Sequence, residues 1–282
     1  MTNSKGKYMN TNRSSYALGA ALGSALVLAL SAPANAADIY DAGLKGGYEV
    51  APPPPSDRGI YIKGYIGQAN PDSGNMWNSG YETNDFTVHH NDIKSSPLFG
   101  LGVGWQARSW LRFDLTGEYR GDTTYFGSDQ YPGGTGFDAG TNEYTADMKS
   151  WLGLANAYID MGNWCGFTPY IGAGIGFSNI SVEGLKDVNV PNDSVAFGAD
   201  KNTTNFAYAF YAGASFDITS QVALDLSYRW VNMGNAQSGD VTTYEGDVAY
   251  AGHHIKDITS NDVMLGVRYK LQREPVSYMP VK

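Results

Sequence analysis

The closing stretch Asp262–Leu271 admits few folds. Val263, Leu265, Val267, Tyr269 and Leu271 share one face of an extended chain, and Asp262, Met264, Gly266, Arg268 and Lys270 share the other. That period of two belongs to a strand and not to a helix. One face is an unbroken apolar row, and the other mixes glycine with charge. A soluble sandwich buries such a row against a second sheet. A membrane barrel turns it to lipid and keeps small and charged residues in its lumen.

The same division recurs upstream. Gly59–Ala69 sets Ile60, Ile62 and Ile66 against Tyr61, Lys63 and Tyr65. Pro97–Gln106 sets Phe99, Leu101, Val103 and Trp105 against Leu98, Gly100, Gly102 and Gly104. Trp110–Arg120, Lys149–Met161, Phe167–Phe177, Asn205–Ile218 and Gln221–Val231 repeat it, which with the closing stretch makes eight strands. Each has roughly the ten residues that a tilted strand needs to cross a bilayer. Connections alternate in length: short near 107–109, 162–166 and 219–220, long and polar over 70–96, 121–148, 178–204 and 232–261. A sandwich has no reason to sort its loops this way, whereas barrels in an outer membrane have short inner turns and long outer loops. Trp105, Trp110, Trp151 and Trp230 at strand ends and Trp164 in a turn fit the aromatic girdles of the two interfaces. The expectation is an all-β, eight-stranded antiparallel up-and-down transmembrane β-barrel with four long extracellular loops.

The front end agrees with that destination. Lys5, Lys7 and Arg13 precede an apolar run from Tyr16 to Leu30, and Ala34-Asn35-Ala36 supplies a small-residue cleavage site, the pattern of a secretory signal over residues 1–36. Residues 37–58 read as a proline-rich linker, with Pro52–Pro55 unable to join a ladder. The barrel spans 59–271, and 272–282 forms a tail. Losing three basic residues with the signal takes the net charge from −9 to −12, which argues against nucleic acid as a partner. Cys165 is alone, so the chain forms no intramolecular disulfide.

The chain resembles the small outer-membrane β-barrel proteins of Gram-negative bacteria, the broad group that includes the opacity and Ail-type surface proteins. The residues that carry the resemblance are Asn156-Ala157-Tyr158-Ile159-Asp160, Thr168-Pro169-Tyr170-Ile171-Gly172-Ala173-Gly174-Ile175-Gly176, and Leu265-Gly266-Val267-Arg268-Tyr269. It covers 59–271. The resemblance implies outer-membrane lipid and lipopolysaccharide as surroundings, the barrel-assembly machinery as a partner, an extracellular protein as a candidate ligand, and no cofactor. It also implies an insertion signal in Gly266, Tyr269 and Leu271, although Met264 stands where a polar residue is usual and the tail follows where such chains commonly end.

Three places could hold chemistry. Lys63, Arg112, Asp114, Glu118, Arg120, Asp225, Arg229 and Arg268 should all point into the lumen. Since eight strands enclose just enough room for side chains, a charge plug is the stronger expectation there and a narrow pore for small solutes the alternative. Strand adjacency puts Asp225 between Arg268 and Lys63. His89, His90, His253 and His254 fall in the first and fourth long loops, which closure makes neighbours, so a metal site of imidazole and carboxylate is conceivable beside the simpler reading of solvated histidines. An enzyme is not expected, because no histidine lies on an expected strand beside a nucleophile. The long loops carry Trp77, Tyr81, Phe86, Tyr125, Phe126, Tyr131, Phe137, Tyr144, Tyr244 and Tyr250. These aromatics either form an adaptable binding surface or pack the loops together. The functional expectation is a non-catalytic surface barrel that supports envelope integrity and engages a partner through its loops.

Overall fold

The computed structural model describes residues 59–82, 86–133 and 138–271. The expected signal (1–36), linker (37–58) and tail (272–282), together with Phe137, lie outside them.

Eight long strands close an antiparallel ring: β1 (Gly59–Asp72), β4 (Ser96–Arg108), β5 (Leu111–Tyr131), β6 (Gly140–Asp160), β7 (Phe167–Asn189), β9 (Lys201–Asp217), β10 (Val222–Gln237) and β13 (His254–Lys270). β1 pairs with both β4 and β13, which leaves the wall without a free edge at the seam. Five short strands decorate the upper end: β2 (Asn75–Trp77), β3 (Thr87–Ile93), β8 (Ser194–Gly198), β11 (Val241–Thr243) and β12 (Val248–Tyr250).

In the lower part of the wall the faces fall as the alternation requires. Leu101, Leu115, Ile175, Leu226 and Leu265 look outward and are well exposed, while Leu98, Asp114, Tyr158 and Arg229 look inward and are buried. Lipid tolerates only this arrangement, because a closed ladder satisfies every backbone group and the outer side chains meet hydrocarbon. The inward glycines are occupied space rather than openings. A Cβ on Gly100 would overlap the Tyr65 ring, and one on Gly104 would overlap the Tyr61 ring.

The segments expected as long loops are mostly strand. β5 continues to Tyr131 and β6 begins at Gly140, so the 121–148 segment is a paired ribbon with a short connection. β7 likewise runs on to Asn189, and β13 begins at His254. The apolar rows end where lipid ends, but the pleat does not. Above that level the polarity of the faces is exchanged. On β6, Glu143, Thr145 and Asp147 look outward while Tyr144, Ala146 and Met148 are buried; on β7, Ile180, Val182 and Leu185 are buried. Water outside and an enclosed interior restore the ordinary rule for soluble sheets. A bulge at Gly184 (φ +60°), where the pairing slips between Thr145 and Asp147, resets the alternation, so that Leu185 is buried and Lys186 exposed.

The barrel therefore has two storeys: a lipid-facing wall and an extracellular crown with its own hydrophobic core. Tyr269 and Leu271 stand exposed on the outer row at the lower end of the last strand. Replacing both with Asp puts two carboxylates on a lipid-facing row, and the expected result is loss of the heat-modifiable folded band from outer-membrane fractions. Thr145→Asp, on the crown's outer face, should leave that band unchanged.

Candidate functional site: the ionic lumen and the crown above it

The lumen carries five cations and five carboxylates in two tiers. In the lower tier Lys63 Nζ lies 2.6 Å from Asp114, and Arg112 grips Asp160 at 2.7 and 2.8 Å. Arg268 stands 3.8 Å from Asp225 and donates to Ser215 Oγ at 3.0 Å, and Ser215 in turn donates to Asp225. In the upper tier Arg229 bridges Glu118 and Asp262, both at 2.7 Å, and Arg120 reaches the same two acids at 2.9 and 2.6 Å. Arg229 and Asp262 are almost fully sealed from solvent. Charges at such depth persist only when geometry and hydrogen bonding repay their desolvation, and the two-by-two arrangement of Glu118, Asp262, Arg120 and Arg229 supplies both.

All eight lumen residues expected from the alternation are wall residues of these tiers. One expected pairing is corrected. Lys63 does not share Asp225 with Arg268; it pairs with Asp114 on β5. Strand adjacency fixes neighbours in the ladder, but Lys63 reaches past Gly102, whose missing side chain opens the way to β5. Asp160 and Asp262 lie outside the expected network, although inward parity with Tyr158 on β6 and with Arg268 on β13 marks them. Tyr158, Tyr170 and Tyr211 fill the space between tiers, with Tyr211 donating to Asn156 at 3.0 Å and Asn156 to Asp114 at 2.7 Å. A cavity of about 30 Å³ remains beside Tyr65, Arg112 and Arg229, room for one or two waters and not for a file of them.

Above the upper tier the crown interior is apolar, with Met76, Ile93, Met148, Ile180, Met233 and Ile258 among its buried members. Higher still lies a cluster of tyrosines and carboxylates. Asp129, fully buried, accepts from Tyr81 at 2.5 Å, Tyr144 at 2.7 Å and Asn142 at 2.9 Å. Asp187 accepts from Tyr250 at 2.8 Å. Burial, opposed by these hydrogen bonds, holds the Asp129 carboxyl above the usual carboxylate range and pushes that of Asp187 up to about 6.

The four histidines make no metal centre here: among the described residues, no group of three or more metal-ligating side chains converges. β2 does pair with β13, setting Trp77 against His254, so the first and last loop regions are neighbours as closure requires. His89 and His90, however, sit on β3, which pairs with β5, and bond Gln130 and Ser128 there. His253 is buried, stacked on Tyr144 at 4.4 Å and hydrogen-bonded through Nε2 to Tyr125 at 3.1 Å. Burial lowers its pKa to about 3. Of the loop aromatics, Tyr125 and Tyr144 are core residues, and Tyr81 stacks on Phe86 at 4.5 Å. Tyr244 is 82% exposed.

Among known proteins, residues 22–270 match the model of the outer membrane protein beta-barrel domain. A Brucella suis protein named as uncharacterized is 31% identical over 78% of this chain and 87% of its own length. Outer membrane protein PagN of Salmonella typhimurium is 28% identical over 75% of this chain and 89% of its own. A Rickettsia conorii protein named "Putative adhesin" is 28% identical over 66% and 74%.

Two outcomes test this site. Arg229→Ala leaves Glu118 and Asp262 short of a partner in the sealed upper tier, and should cost about 3–5 kcal/mol, seen as a lower melting temperature in detergent micelles. The crown should also respond to pH. His253 titrates far lower folded than unfolded, so its contribution is complete above pH 6.5 and is lost as pH falls below that value. Asp187 is displaced upward, so its ionisation penalty is relieved as pH falls through about 6. The histidine displacement is the larger, and acidification should loosen the crown. In His253→Phe that loss is removed, the raised Asp187 and Asp129 outweigh the smaller downward displacement of half-buried His254, and acidification should tighten it. Hydrogen exchange in the upper part of β13, corrected for intrinsic chemistry, reads both signs.

Proposed function

The chain belongs to the outer-membrane β-barrel family and resides in the cell outer membrane, and from that premise we propose that it is a non-catalytic surface protein that holds out a rigid crown for binding. One observation carries this reading: the strands of the wall continue above the lipid-facing band into a crown with its own buried core. Such a crown is a pre-ordered surface, which lowers the conformational cost of binding. Two relatives are named for an outer-membrane location and for adhesion, which supports a partner outside the cell. We extend the reading to lipopolysaccharide around the wall, to the barrel-assembly machinery during insertion, and to Gly266, Tyr269 and Leu271 as the signal that machinery reads. Envelope integrity follows from a wall whose lumen is closed.

The lumen favours a plug over a pore. The ionic tiers and the tyrosines between them fill its cross-section, and the apolar crown interior lies above. A non-enzymatic role is supported by where the polar groups point. The buried imidazole of His253 is engaged by the hydroxyl of Tyr125, and the lumen acids are engaged by arginines and lysine.

The test has two arms. Full-length protein in planar bilayers should give no steady conductance, and stable ion-conducting steps would overturn the plug. A non-adherent Gram-negative strain displaying the protein should attach to host-cell monolayers severalfold better than the same strain without it. Equal attachment would overturn the surface-binding role.

A further inference from the structure

One side of the crown ends in an open sheet. β8 pairs with β7, β11 with β8 and β12 with β11, and β12 stands last in that order, with no pairing on its far side among the described residues. The eight wall strands close on themselves, whereas the crown strands β2 and β3, like β12, pair on one side only, and of these β12 alone ends a panel of several added strands.

The outer face beside the edge is unlike the rest of the crown. Register aligns Lys186, Phe197, Thr242 and Val248 in one row across the four strands. Phe197 packs edge-on against Tyr244 at 5.2 Å, and Phe197, Tyr244 and Val248 are all exposed. The opposite face is anchored: Val241 is buried and Tyr250 donates to Asp187. The panel is thus a fixed ledge with an apolar upper surface. Asp193, Asp240, Glu245 and Asp247 are exposed on and around it, with Lys186 and Lys201 as nearby exposed cations. Glu245 and Asp247 lie in the turn that joins β11 to β12, which Thr243 and Asp247 close through a backbone hydrogen bond of 2.9 Å.

We propose that the free edge of β12 is a docking site for an extended, basic polypeptide segment of an extracellular protein, which adds to the panel as a further strand. Main-chain pairing to an exposed edge supplies affinity, and alternate side chains supply selectivity. An incoming strand would lay its apolar residues beside Val248, Tyr244 and Phe197 and its lysines or arginines against the acidic turn. Complementary charge favours the encounter of a basic segment with this acidic protein and disfavours an acidic one. This inference rests on the crown being a binding surface, but it can fail while attachment of displayed protein to cells remains intact.

The probe is a labelled decapeptide of alternating lysine and valine, added to the full chain in lipid nanodiscs. Binding is read by anisotropy, and hydrogen exchange is read at Val248–Tyr250. The expected result is saturable binding with slowed exchange confined to β12 and its neighbours. Glu245→Lys with Asp247→Lys should weaken it at least tenfold, and so should Ala249→Pro. Ala249 has no partner residue on β11 because the pairing slips there, and proline is accommodated at such bulges. Val248→Lys, an exposed outer-face change that should leave the panel folded, should also weaken it tenfold. Equal binding of a glutamate–valine peptide would overturn the proposal, as would affinities within twofold of the parent for all three variants. So would self-association of the protein through β12 that excludes the peptide, since the occupant would then be a second copy of this chain.

Discussion

The quartet Glu118, Asp262, Arg120 and Arg229 sits at the level where the molecule changes its solvent. Below it the outside is hydrocarbon and the inside is ionic; above it the outside is water and the inside is mostly apolar. No single row of side chains could serve both halves of a strand. β13 shows the exchange within one element: Leu265 and Val263 are exposed, Asp262 is buried, and a few residues further up Ile258 and Ile255 are buried in their turn. The quartet closes the lower compartment with four mutually neutralising charges, so that the apolar core above it does not border an unpaired ion. Burial of such a network is weak evidence for net stability. Its effect here is on position, since each arginine binds both acids and the strands that carry them cannot slide without breaking several bonds.

The crown follows from that fixed base. Residues above the bilayer could have formed four independent loops, each exploring many conformations at an entropic cost to any later binding. Instead the ladder of β5, β6 and β7 carries on, and the short strands tile the gaps between wall strands. Asp129 illustrates the economy of this arrangement. Three donors from two separate segments, Tyr81 from the first connection and Tyr144 and Asn142 from β6, converge on one carboxylate. Removing water from an acid is expensive, and hydrogen bonds to it are strengthened by the same removal. The cluster is therefore a polar lock in an apolar room, placed where the crown's sheets meet.

How much of this was legible in the sequence depended on which solvent each residue meets. Phe99, Leu101, Val103 and Trp105 declare themselves because lipid requires an unbroken apolar row, and Gly100 and Gly104 between them mark the lumen. The crown strands look like loops in the sequence because Ser128, Gln130, Glu143 and Thr145 face water, and an alternation with tyrosine or aspartate as its inner member resembles polar coil. The bulge at Gly184 also breaks parity, so Asp187 could not be placed inside by counting. Parity gave the lumen residues their face but not their partners. Lys63 finds Asp114 because glycine at 102 leaves a gap, a fact of three dimensions that no count along one strand contains. The histidines failed as ligands for a related reason: closure brings β2 to β13, yet β3 turns away to β5 and carries His89 and His90 with it.

A barrel that hides its edges in the membrane can still keep one in the crown. β12 is three residues long, pairs on one side only and follows an acidic turn, features that natural edges use against aggregation. Those same features select among partners instead of excluding all of them. Acidic residues repel a second copy of an acidic chain and attract a basic strand. Shortness limits pairing to a few backbone bonds, so that aromatic contacts at Phe197 and Tyr244 must supply the remainder. The ledge can do this because its inner face is tied down by Tyr250 and Asp187, and the lock is in turn carried by strands whose register is set at the quartet far below. A surface that selects in this way needs a firm support, and the support is the same ionic network that fills the lumen.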